Sequence, residues 1–171
     1  MQKEFSYPLV VSELPQAEQH YELNATKENC VYLKDVLQVP DVKNVKADIR
    51  LKNSHADHRL QIWGHINAEL VLESVISLDL FSQKYDFDFS YVFDTQATYA
   101  SQHEQVEEWS LDMPDVVIGD KIDLGDIVIE QIALKIDDYP RKEGEKFQFE
   151  AEFDAQESKN NPFEVLAKLK K

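Results

Sequence analysis

Apolar and polar residues alternate with a period of two over three long stretches of this chain. In the first, Val45, Ala47, Ile49 and Leu51 are separated by polar residues. In the second, Leu60, Ile62, Ile66, Ala68, Leu70 and Leu72 alternate in the same way, with Gly64 holding the place of an apolar residue. In the third, Tyr85, Phe87, Phe89, Tyr91 and Phe93 fall on one face and Asp86, Asp88 and Ser90 on the other. Such alternation is the mark of half-buried strands in an antiparallel sheet with one wet face. Strands are expected over residues 45–51, 60–72 and 85–93, with a polar hairpin turn over residues 53–58. A glycine inside a strand implies a bulge or a close backbone approach, and a bend is expected at Gly64.

Shorter elements flank these strands. Residues 7–14 predict a strand that begins at Pro8, where a missing N–H does least harm, and residues 20–24 predict a second. Thr26 fits a helix N-cap, Cys30, Leu33 and Leu37 recur at helical spacing, and Pro40 marks the stop. Residues 95–115 form a long acidic connection with a short strand near Trp109, and residues 116–118 an apolar strand. Asp123 fits a second N-cap, with Asp126 in the first turn and a buried stripe of Leu124, Ile127, Val128, Ile132 and Ala133. Residues 137–144 read as a loop. Phe147, Phe149, Ala151 and Phe153 alternate as a last strand or an ordered arm. Asn161 and Pro162 suit N-cap and N1 of a short final helix, whose stripe would be Phe163, Leu166 and Leu169 and whose end carries Lys168, Lys170 and Lys171.

The fold expected is therefore α+β: a mainly antiparallel sheet, with closure toward a barrel as an option, and about three helices including a short C-terminal one. Residues 1–154 would form one domain, and residues 155–171 a polar linker followed by that helix. The chain of 171 residues, 43% hydrophobic, is large enough to build a core without disulfides or metal.

Charge narrows the function. Asp and Glu total 33 against 18 Lys and Arg, a net charge of −15. The mean field repels phosphates, so RNA binding would need a local basic patch. A basic protein is the better electrostatic match. The aromatic row over residues 85–93 has acidic or neutral neighbours, which favours core packing over base stacking. Cys30 stands alone, so it forms no intramolecular disulfide and reads as a small buried hydrophobe. The first residues carry no basic start and apolar run, and no stretch is long enough to span a bilayer; a cytoplasmic location is expected, with no membrane and no DNA partner.

Candidate chemistry is thin. His55 and His58 lie in a turn and fall short of the three or four ligands a zinc site requires. CxxC, HExxH, Walker and GxGxxG patterns are absent, and four glycines leave little for a phosphate-cradling loop. Asp86 and Asp88 share a strand face, but an exposed pair would not acquire the split pKa values of an acid and a base. The expectation is no catalytic residue, no metal and no cofactor.

Three stretches resemble the YceD family. Residues 64–73, GHINAELVLE, are similar to the family's glycine-containing strand, with Gly64 and the closing Leu72 and Glu73 as motif positions. Residues 122–134, IDLGDIVIEQIAL, resemble its Ile-Asp-Leu entry into an acidic, apolar helix, with Asp123, Leu124 and Glu130 as motif positions. Residues 161–171, NPFEVLAKLKK, match the Asn-Pro-Phe-x-Val-Leu-x-x-Leu-Lys ending of many members. Many members also carry Cys-x-x-Cys after the Leu-Glu, where this chain has Ser74 and Ser77. Serine hydroxyls are poor substitutes for thiolate ligands. The resemblance implies a non-enzymatic bacterial factor supporting synthesis, processing or stability of 23S ribosomal RNA. It would act on the RNA precursor or on a basic ribosomal or assembly protein. A processing enzyme and a direct RNA-binding module are the alternatives. The partner-binding element expected is Asn161, Pro162, Phe163, Leu166 and Leu169 with Lys168, Lys170 and Lys171.

Overall fold

The computed structural model describes residues 5–96, 115–117 and 119–146. Its centre is an antiparallel meander of three long strands: β3 (Asp41–Ser54), β4 (Arg59–Glu73) and β5 (Leu80–Asp94). β2 (Gln19–Asn24) pairs antiparallel with β3, and β6 (Asp115–Val116) pairs parallel with the end of β5. The order is β2-β3-β4-β5-β6. β1 (Pro8–Val10) and β7 (Lys121–Asp123) form a separate antiparallel pair, and a 3₁₀ turn over Val11–Glu13 follows β1. The helices are α1 (Lys27–Leu37) and α2 (Leu124–Ala133).

Alternation places the core. Ile49 and Leu51 of β3 and Leu60, Ile62, Ile66 and Leu70 of β4 are fully buried, together with Leu33 of α1 and Leu124, Val128 and Ile132 of α2. The helices thus lie on the apolar face of the meander, α1 against β3 and α2 against β4. Ala133 faces solvent rather than the core. α1 starts with a capping box, in which Asn29 N–H donates to Thr26 Oγ1 at 3.2 Å and Thr26 N–H donates to Asn29 Oδ1 at 2.9 Å. It ends at Gln38, a left-handed cap.

Several expectations need correction. The sheet does not close: among the described residues β2 and β6 are its two edges, and no pairing joins them. The sheet, expected to be mainly antiparallel, is mixed: β6 runs parallel to β5. The described residues hold two α-helices, not three; the expected third, over residues 161–171, lies outside them. The expected strands near Trp109 and over residues 147–153 also lie outside. The bend expected at Gly64 is not a bulge, for the register runs unbroken through Ile49, Gly64 and Phe89. The bulge sits between Val42 and Asn44. An extra residue there lets Val42 and Val45, an odd number apart, both face the core, so β3 begins before its regular alternation does.

Gly64 instead marks a close approach: a Cβ on it would lie 2.1 Å from the carbonyl oxygen of Asp48 on β3. Gly125 plays the same part at the start of α2, where a Cβ would meet the carbonyl oxygen of Phe5 at 2.2 Å. The chain leading into β1 can therefore press directly on the helix, and Asp123 secures it. Asp123 Oδ1 accepts from the N–H groups of Gly125 at 2.8 Å and Tyr7 at 2.7 Å, and Oδ2 accepts from the Ser6 hydroxyl. Leu124 N–H donates to the Tyr7 carbonyl at 3.0 Å. One carboxylate caps α2 and clasps the incoming chain.

Replacing Asp123 by Ala should lower unfolding stability by about 1–2 kcal/mol, the usual worth of a lost cap. Asp123→Asn, which keeps an acceptor, should recover most of it. Urea unfolding of the two variants measures both effects.

Candidate functional site

The family-motif positions do structural work. Leu72 and Leu124 are core residues. Glu73 is the exposed last residue of β4. Glu130, exposed on α2, accepts from the Tyr91 hydroxyl at 3.3 Å. Burial, with Asp115 and Glu130 close by, pushes that phenol far above its ordinary range. The aromatic row of β5 lies on the core side, as its charge context suggested: Phe89 is buried, Tyr85, Phe87, Tyr91 and Phe93 are half-buried against the core, and Lys135 stands 5.2 Å above the Phe87 ring. Cys30 is partly buried, and its thiol pKa is raised, by desolvation first and Asp41 second. A raised thiol is a poor nucleophile.

Ser74 and Ser77 form a polar staple. Ser74, fully buried, donates its hydroxyl to Glu145 Oε2, and Ser77 donates to Oε1 at 2.6 Å. Ser74 Oγ also accepts from the N–H groups of Ile76 at 3.2 Å and Ser77 at 3.4 Å. Glu145 comes from the loop after α2 and accepts in addition from Lys142 N–H at 3.1 Å. Val75 N–H to the Pro140 carbonyl, at 2.9 Å, and Lys142 Nζ to Asp79, at 3.1 Å, complete the tie. The two positions where many relatives carry thiols thus converge on one carboxylate and pin the post-α2 loop to the β4–β5 turn. The hydroxyl bonds from Ser74 and then Ser77 hold the Glu145 pKa below its ordinary value of 4.5.

The opposite face of the sheet is wet and charged. Glu22 of β2, Asp48 of β3, His65 of β4 and Asp88 of β5 lie opposite one another in a single cross-strand row. His65 sits between two carboxylates, Nδ1 at 2.8 Å from Asp88 and Nε2 at 2.7 Å from Asp86. Only the imidazolium donates to both at once. The hydrogen bond to Asp88 is the leading cause of a pKa raised above 6.5, and Asp86 adds to it. His20 Nε2 lies 2.9 Å from Asp48.

Metal ligation has one candidate cluster among the described residues. His20, Glu22 and Asp48 each offer a ligand atom, all within 4.8 Å of one another. All three are exposed on or beside an edge strand, without the four-ligand enclosure of a structural zinc site. Sequence reasoning missed this trio, and the His65 clamp, because cross-strand register alone brings the residues together. His55 and His58 are exposed in the β3–β4 turn. Asn161, Pro162, Phe163, Leu166, Leu169, Lys168, Lys170 and Lys171 lie outside the described residues. No described helix is long and apolar enough to cross a membrane.

The described residues thus form an open sheet backed by two helices, in which the motif positions Leu72 and Leu124 pack in the core and Asp123 caps a helix. The family description of the large ribosomal RNA subunit accumulation protein YceD matches residues 62–170, well over half of the chain, and the chain belongs to that family. Its members are non-catalytic accumulation factors, and the role shared with them is in large-subunit ribosome biogenesis, through RNA or protein contacts. No curated protein and no solved structure matches the chain.

Ser74→Ala should cost about 1–2 kcal/mol, because two N–H groups lose their acceptor and Glu145 a donor. The lowered Glu145 pKa stabilises the fold above the unfolded carboxylate range, and that contribution is lost as pH falls through the folded value. The stability difference between the native chain and Glu145→Gln should therefore be full at neutral pH and shrink on acidification. Urea unfolding across pH reads it directly.

Proposed function

We propose that this protein acts in the cytoplasm as an assembly factor for the large subunit, its acidic sheet face taking a basic ribosomal or assembly protein while 23S ribosomal RNA is made or matured. The carrying observation is the row Glu22–Asp48–His65–Asp88. Glu22 and Asp48 stand directly opposite each other, and like charges so placed weaken a sheet. A row that costs stability in the free protein is suited to cations supplied from outside. Asp86 and Asp88, exposed at 64% and 89%, already hold His65 between them. Steering by a net charge of −15 would speed encounter with a basic partner.

The double variant Glu22→Gln, Asp48→Asn should fold at least as stably as the native chain. Purified from its own cells, it should lose the large-subunit proteins that accompany the native chain. Unchanged co-purification would refute this reading.

The second element of the proposal is the segment 161–171. Asn161 and Pro162 suit a helix start, Phe163, Leu166 and Leu169 supply an apolar set, and Lys168, Lys170 and Lys171 the densest positive charge in the sequence. Deleting residues 160–171 should leave the melting temperature nearly unchanged and abolish co-purification with ribosome-assembly material. A destabilised protein, or an unaffected pull-down, would make the segment ordinary structure.

A further inference from the structure

The wet face gathers cations toward one end. Toward the β3–β4 hairpin the outward positions are Arg50 and Lys52 on β3 and Arg59, Gln61 and Trp63 on β4, all exposed except the half-buried Trp63. Lys52 pairs across the strands with Gln61, Ser54 with Arg59, and Arg50 with Trp63, so these side chains occupy three successive rows. The two rows at the hairpin border an open polar cleft of about 490 Å³, lined by Lys52, Ser54, Asp57, Arg59 and Gln61. Arg50 is 3.4 Å from Glu18, and Asp94 of β5 stands opposite Arg59 in register; neither Lys52 nor Arg59 forms an ion pair with a described residue. Asp57 accepts the Ser54 hydroxyl at 2.7 Å.

We propose that this hairpin end of the sheet binds single-stranded RNA, with phosphates on Lys52 and Arg59 and a base stacked on Trp63. The donors fit: a guanidinium and an ammonium for phosphate oxygens, and the Gln61 amide for a base edge. Asp57, with lone pairs left over from its bond to Ser54, is an acceptor for the ribose 2′-hydroxyl. An indole beside a cationic cleft is the pairing of stacking platform and charge that unpaired strands require. The protein's acidity does not forbid the contact. Asp48 lies four residues along β3 from Lys52, roughly 13 Å at the strand rise, which exceeds the Debye length of about 8 Å at physiological salt. The cleft is therefore largely screened from the acidic row. An acidic peptide would satisfy the two cations but would leave Trp63 and Asp57 without a role. The proposal rests on the family's role with RNA and is independent of the acidic row and its basic partner.

The test is fluorescence anisotropy of the full chain with a labelled oligouridine RNA of about ten nucleotides, a length that spans one such platform, at low salt. Binding is expected, with log K falling against log salt at a slope of about −1.4 for two phosphates on a single strand. Lys52→Glu with Arg59→Glu should weaken it at least about tenfold, and Trp63→Ala about fivefold or more, within the range of one lost stack. Lys84→Glu, on the same face outside the cleft, should change it less than about twofold by the same screening. Chain lacking residues 160–171 should still bind. The proposal is overturned by absence of binding to the native chain, by equal binding of the Lys52/Arg59 variant, or by loss of binding on removing residues 160–171. Displacement of the RNA by polyglutamate at equal charge concentration would also overturn it. Loss of large-subunit proteins in the Glu22/Asp48 variant, with RNA binding intact, would separate the two surfaces.

Discussion

Everything in this fold depends on covering one face of a long three-stranded meander. Strands of 14 and 15 residues bury an unbroken apolar stripe on β3 and β4, and an uncovered stripe of that length would drive self-association. α1 and α2 supply the cover from opposite ends of the sequence, meeting over the meander with Leu33, Leu124, Val128 and Ile132 fully buried beneath them. Gly64 lets β4 lie close to the β3 backbone where a side chain would hold the strands apart.

Polar ties then fix the pieces that alternation cannot place. Asp123 joins the chain before β1 to α2, and Asp120, three residues earlier, likewise clasps the N-terminal segment by accepting from Ser12 N–H at 3.0 Å. Asn53, buried at the end of β3, donates to the Val11 carbonyl at 3.2 Å and seats the 3₁₀ turn on the sheet. At the other end of the meander, Ser74, Ser77 and Glu145 anchor the loop that leaves α2. These bonds join residues 42 to 116 positions apart, and each closes a loop whose ends would otherwise drift. A motif residue in such a tie is needed for shape, which agrees with a family of accumulation factors rather than catalysts.

With the apolar face used for folding, the wet face remains for partners. Its charge is unevenly placed: Glu22, Asp48, His65 and Asp88 form a cross-strand row, and beyond it Arg50, Lys52 and Arg59 stand at the hairpin end among Glu18, Asp57 and Asp94. The two proposed surfaces, the acidic row for a basic protein and the hairpin end for an RNA strand, lie on one sheet. Rigidity matters because a sheet holds its side chains in fixed rows and spends little conformational entropy on binding.

The sequence by itself determined the three long strands, the Thr26 and Asp123 caps and the core stripe, because period and capping are local properties that every few residues restate. It also determined membership in the family, and its charge pattern put the aromatic row of β5 on the core side. The openness of the sheet, the parallel pairing of β6, the bulge before Val45 and the β1–β7 pair were decided by tertiary structure. Each depends on which distant backbone supplies the hydrogen bonds, and alternation does not encode that choice. The same holds for the surfaces. Glu22 is 26 residues from Asp48 and Asp48 is 17 from His65, yet register sets them side by side. Lys52 and Arg59 read as ordinary hairpin polarity until cross-strand pairing placed them with Gln61 around one cleft next to Trp63. Composition fixed the total charge; only the fold, by pairing distant strands in one register, set the acidic row and the hairpin-end cations on one face.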